Sequence, residues 1–167
     1  RGPESTGKST LSEQRAAAHM VPWVPEYARA YLDTLGRPYE ESDLLEIARG
    51  QLRAEDDVAR DRRAGFMICD TDLYVIKVWS EHRYGRCDAW ILSEIARRPY
   101  DFYLLTGIDL PWQSDPLREH PEPGMREYFF RVYLDIVKNS PVPWALVTGD
   151  AEARIACAEA ALGTLVS

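Results

Sequence analysis

Short apolar runs alternate along this chain with longer amphipathic stretches, the signature of strands separated by helices. "GFMICD" (65–70), "DFYLLTGID" (101–109) and "VPWALVTG" (142–149) read as buried strands, the first two ending in aspartate. "VPWVPEYAR" (21–29) is a shorter extended run, because Pro22 and Pro25 push the residues before them away from helical geometry. "STLSEQRAAAHM" (9–20) is rich in helix formers. The stretch 40–64 repeats apolar residues at helical spacing, with Leu44, Ile47, Leu52 and Val58 as inward positions and Ser42 or Asp43 as the cap. "LYVIKVWSEHRYG", "AWILSEIARR", "YFFRVYLDIVKN" and "DAEARIACAEAALGTLV" predict four further helices, placing Trp79 and Trp90 in the core. The expected fold is α/β: a three-layer sandwich whose parallel sheet carries helices on both faces, with ligand at the carboxyl ends of the strands.

A length of 167 residues suits one domain, 1–167, with a proper core. Net charge is −7, and the seventeen arginines and three lysines form no run longer than two, which argues against nucleic acid as the main partner. No stretch is long and apolar enough to cross a bilayer, and no signal-peptide pattern is visible, so no membrane partner is expected. Cys69, Cys87 and Cys157 are widely spaced and odd in number, suggesting neither a disulfide framework nor a zinc site. The expected location is cytoplasmic.

The chemistry begins at "RGPESTGKST" (1–10), where Gly2, Gly7, Lys8 and Ser9 fit G-x-x-x-x-G-K-[ST] without a gap. Such a loop wraps a polyphosphate in backbone N–H groups, while lysine neutralises it and serine reaches Mg²⁺. A helix starting near Lys8 adds the positive end of its dipole. The nucleotide-triphosphate-binding set is therefore Gly2, Glu4, Ser5, Thr6, Gly7, Lys8, Ser9 and Thr10, with Ser9 also a metal ligand. A loop of this kind ordinarily follows a buried strand, so the natural chain is expected to begin upstream of Arg1.

Asp70 and Asp72 in "CDTD" stand at a strand end, where enzymes of this type place a Mg²⁺ ligand or a general base. Asp70 is the stronger metal candidate, since Asp72 directly precedes a helix and also reads as its cap. Glu26, at the end of the extended run, suits binding or deprotonating a substrate hydroxyl, with Arg29 on the same face. A surface Glu–Arg pair is the plainer alternative. The polar, proline-rich stretch 110–127 is long for a connection and reads as a lid, with Arg118 and Arg126 directed at phosphates. Trp112 within it is a candidate ring platform. Gly149 in "VTGDAEAR" allows close approach of an adenine ring.

Taken in order, "GPESTGKSTL", "VPEYARAYL", "IARGQ", "CDTDL" and "DLPWQSDPLR" resemble the nicotinamide riboside kinase domain of NadR-type proteins, members of the P-loop kinases. The resemblance runs over nearly the whole chain. It implies ATP and Mg²⁺ as cofactors and a small nucleoside as substrate, the γ-phosphate passing to the 5′-hydroxyl of nicotinamide riboside. It also implies Lys8, Asp70, Asp72 and Arg118 as catalytic residues, and Glu26, Tyr27, Arg29 and Trp112 on the nucleoside side. One departure stands in the lid, where Pro116 occupies the position at which the family usually has glycine.

Overall fold

The computed structural model describes residues 1–60, 65–111 and 123–166. The helices are α1 (Lys8–His19), α2 (Tyr27–Leu35), α3 (Glu41–Ala59), α4 (Leu73–Tyr84), α5 (Ala89–Arg97), α6 (Pro123–Lys138) and α7 (Ala151–Val166). The strands are β1 (Trp23–Val24), β2 (Ile68–Cys69), β3 (Tyr103–Thr106) and β4 (Trp144–Val147). All strand pairing among the described residues is parallel: β1 with β2 and β3 with β4. The fold is thus α/β, with helices between the parallel partners as such pairs require. None of the described helices is long and apolar enough to cross a membrane.

The chain divides into two compact units, Arg1–Arg15 with Tyr100–Ser167, and Ala16–Pro99. In the first, Tyr103 pairs with Trp144 and Thr106 with Val147, and Leu105 and Val147 are fully buried. Arg1 extends this pairing from the other side of β3. Its amino group donates to Leu104 O at 2.6 Å and its carbonyl accepts from Thr106 N at 2.9 Å, the hydrogen-bond pattern of a parallel neighbour. Leu11, Val147 and Ala158 form a core cluster there.

The second unit is built on α3. Leu44, Ile47 and Leu52 are buried as the helical spacing predicts, while Val58 is only half-buried near the helix end. They pack with Leu73, Ile76 and Ile91, against which Trp79 and Trp90 lie partly buried. Each fully buried aliphatic side chain contributes about 1.5–3 kcal/mol. Both β2 residues are half-buried, whereas Val24 of β1 is fully enclosed.

The start of α3 differs from the expected cap. Glu40 is the N-cap, and Asp43 closes a capping box from inside the helix, accepting from Glu40 N at 2.7 Å. Asp43 also accepts from Tyr31 Oη at 2.7 Å and from both terminal nitrogens of Arg37 at 2.7 and 2.9 Å. These donors, the Arg37 hydrogen bonds foremost, hold its carboxyl well below the usual carboxylate range. A depressed folded pKa stabilises above the unfolded value of about 4, and that stability is lost as pH falls towards the folded one. Asp43→Asn should therefore cost about 1–3 kcal/mol at neutral pH. Its melting temperature should approach that of the wild type as pH drops below 4. Thermal melts of both proteins across pH 2–7 check this, and a gap that stays constant with pH would contradict it.

Candidate active site

Residues 2–7 form a loop that wraps back on itself before α1. Gly2, at φ +152°, passes so close to β3 that a Cβ placed there would lie 2.3 Å from Thr106 Oγ1 and 2.9 Å from Thr106 O. Thr6 Oγ1 donates to Pro3 O at 2.9 Å and lies 2.7 Å from Thr106 Oγ1, fastening the loop to the end of the strand. Ser5 sits in the left-handed region at φ +57°, a cost that a non-glycine residue bears only when its surroundings impose it. Gly7 and Ser9 are exposed, and Lys8 Nζ donates to Pro3 O at 2.8 Å, across the loop. Thr10 is exposed in the first turn of α1, and Glu4 is half-buried.

Two arginines reach this loop. Arg126 of α6 donates through Nη2 to Ser5 O at 3.3 Å and Leu110 O at 3.0 Å, so the arginine expected to face phosphates meets the loop at its carbonyls. Arg154 of α7 has no counterpart among the sequence expectations. It is 5% exposed and donates to Gly149 O at 2.8 Å, Thr6 O at 3.0 Å, Gly107 O at 3.3 Å and Asp109 Oδ1 at 2.5 Å. Asp109 Oδ2 in turn accepts from Gly149 N at 2.5 Å. Arg154 shares a helix face with the buried Ala158, Ala161 and Leu162. An arginine at an inward position of an otherwise small and apolar helix was the available signal.

In the other unit the acidic residues gather at the carboxyl end of β2. Asp70 continues the ladder, donating its N–H to Val24 O at 2.9 Å, and is 3% exposed. Its Oδ1 is buried without a hydrogen-bond partner, as is Thr71 Oγ1 beside it. Asp72 takes the capping role its position allowed: its Oδ1 accepts from Tyr74 N at 2.9 Å and Val75 N at 3.3 Å. Burial first, then the carboxylates of Glu55, Asp72 and Asp70, push the Cys69 thiol far up.

Glu26 is the N-cap residue of α2 but makes no side-chain cap bond, and it stays half-buried. Tyr27 N donates to Gln51 Oε1 at 3.0 Å, and Gln51 Nε2 donates to Glu55 Oε1 at 3.0 Å. The Tyr27 ring lies flush on Gly50, where a Cβ would fall 2.0 Å from Cε1, which explains the glycine in "IARGQ". Arg29 is exposed. Trp112 and Arg118 lie outside the described residues, as does the expected lid apart from 110–111 and 123–127.

Among the described residues no three His, Cys, Asp or Glu side chains are grouped to hold a metal. Mg²⁺ held jointly with nucleotide phosphates needs only one or two protein ligands. The buried Asp70 Oδ1, which has no hydrogen-bond partner, fits that requirement.

A search of curated proteins brings no match. A family model described as an AAA domain matches residues 1–154, a span that runs through both compact units and includes the phosphate loop, the acidic strand end and Arg154. The chain therefore belongs to this AAA-domain family of P-loop NTPases.

Proposed function

We propose that the protein is an ATP-dependent small-molecule kinase that transfers the γ-phosphoryl group to the 5′-hydroxyl of nicotinamide riboside, giving nicotinamide mononucleotide. The observation that carries the phosphotransfer reading is the buried Asp70 at the end of a parallel strand, whose Oδ1 has no hydrogen-bond partner. Burying such a group without a partner is costly, and sites that do so are commonly functional. The acceptor rests on the ordered resemblance of "PEYAR", "DTDL" and "PW…D-x-L-R" to the riboside kinases. The three-layer arrangement expected of those kinases is part of the same reading.

Lys8 would bind the β- and γ-phosphates, and the backbone of residues 2–10 would enclose them. The resemblance assigns both Ser9 and Asp70 to Mg²⁺, which would neutralise charge on the phosphoryl oxygens. Glu26 would orient the 5′-hydroxyl and take its proton as the oxygen–phosphorus bond forms and the bond to the bridging oxygen of ADP breaks. Tyr27, Arg29 and Trp112 would line the nucleoside side, and Arg118 would close over the phosphates. Asp72 contributes by fixing the start of α4 behind Asp70. The reaction is mainly positioning and charge neutralisation.

Asp70→Asn should keep the fold and lower phosphoryl transfer by about 100-fold or more. A steady-state assay over a Mg²⁺ series checks this, and unchanged turnover would remove Asp70 from the machinery. The acceptor is tested by incubating the protein with ATP and nicotinamide riboside, cytidine, uridine, thymidine or adenosine and weighing the products. Nicotinamide mononucleotide as the main product supports the reading, whereas another monophosphate keeps the kinase and replaces its substrate.

A second reading is favoured by the AAA-domain match itself: a nucleotide-hydrolysing regulator in which water accepts the phosphoryl group. It predicts ATP turnover that is indifferent to any nucleoside.

A further inference from the structure

Three carbonyl oxygens of the phosphate loop are held by cationic side chains. Lys8 takes Pro3 O, Arg126 takes Ser5 O and Arg154 takes Thr6 O. A trans peptide points its C=O and the following N–H to opposite sides of the chain. Holding Ser5 O against Arg126 therefore turns the Thr6 N–H away from that arginine. Holding Thr6 O against Arg154 likewise turns the Gly7 N–H away from α7. These are two of the donors that a loop of this sequence directs at a bound polyphosphate.

We propose that Arg154, assisted by Arg126, is a positioning residue that sets the Ser5–Thr6 and Thr6–Gly7 peptide planes, so that the Thr6 and Gly7 N–H groups face the anion. The inference rests on the phosphate-loop reading alone and holds whatever molecule accepts the phosphoryl group. Arg154 acts through the loop and not on the ligand, because it is buried and each of its three side-chain nitrogens already donates to the protein. Nε serves Gly149 O, Nη1 serves Thr6 O, and Nη2 serves Gly107 O and Asp109. Only a planar guanidinium fork can hold three carbonyls and a carboxylate together; a lysine ammonium at the same place is a single point of charge. Asp109 fixes the fork from the other side and joins it to Gly149 N, so the loop after β4 and the phosphate loop share one anchor. The left-handed Ser5 is where the arrangement stores its strain, and Arg126 holds that residue's carbonyl.

Arg154→Lys separates positioning from charge, since it keeps the charge and loses the fork. The probe is Mg²⁺-loaded inorganic triphosphate, which has no base or ribose, titrated calorimetrically into wild type, Arg154→Lys and Arg126→Lys at several salt concentrations. We expect Arg154→Lys to bind roughly 10- to 100-fold more weakly, with an unchanged dependence on salt. Wild-type affinity in Arg154→Lys would overturn the proposal, because the residue would then act through its charge. Should Arg154→Lys fail to fold, the half-buried Arg126→Lys carries the test, with about a tenfold loss expected and no loss overturning it. Failure of the wild type itself to bind triphosphate would instead overturn the phosphate-loop reading, and this proposal with it.

Discussion

Lys8→Ala should leave a folded protein whose nucleotide turnover is at least about 100- to 1,000-fold lower. The residue opens α1 and is the cation of the loop with a flexible stem, able to follow charge as it moves between phosphoryl oxygens. Its visible structural duty is small: one hydrogen bond from Nζ to Pro3 O in a half-buried setting. Loss of such a bond costs about 1 kcal/mol, a few degrees of melting temperature for a chain of this size. Activity and stability should therefore part company. Thermal melts beside an ADP-release assay measure both, and a variant that melts normally yet retains turnover would exclude Lys8 from catalysis.

Gly2→Ala should fail in the opposite way, losing stability and nucleotide binding together. The position combines a φ of +152° with backbone and a buried threonine closer than any Cβ tolerates. Thr106 cannot easily retreat: its hydroxyl meets Thr6 Oγ1 at 2.7 Å and Arg1 O at 3.3 Å, and its N–H binds Arg1 O. Strain and overpacking of this kind cost about 2–4 kcal/mol in total. Gly36→Ala is the informative control, because it shares a positive φ of 68° but has open space around it. It should cost about 1 kcal/mol and leave nucleotide binding intact. Equal losses in the two variants would show that the approach to Thr106 does not matter.

The sequence carried the elements more fully than their ends. Alternating apolar and amphipathic runs identified α3, α4 and α7 because periodicity is local, and Leu44, Ile47 and Leu52 followed from it. The cap of α3 did not: a run of four polar residues, Glu40 to Asp43, offers several caps, and the choice depends on Tyr31 and Arg37 arriving from α2 and the loop after it. The phosphate loop was legible as a motif, since its glycines and lysine are fixed by chemistry. What braces it was not, because Arg154 and Asp109 lie far along the chain and meet residue 6 only through folding. Asp72 illustrates an ambiguity the letters hold in full: an aspartate before a helix serves as cap or as catalytic carboxylate, and only the hydrogen bonds to Tyr74 and Val75 show the first.

The most direct test of the central claim is ADP release by the wild-type protein with Mg²⁺-ATP, in the presence and absence of nicotinamide riboside. A kinase holds its phosphoryl group until the acceptor hydroxyl is in place, so the account predicts near-zero release in the blank and stoichiometric ADP and nicotinamide mononucleotide once the riboside is added. Equal ADP release with and without it would contradict the account and assign the phosphate loop to hydrolysis.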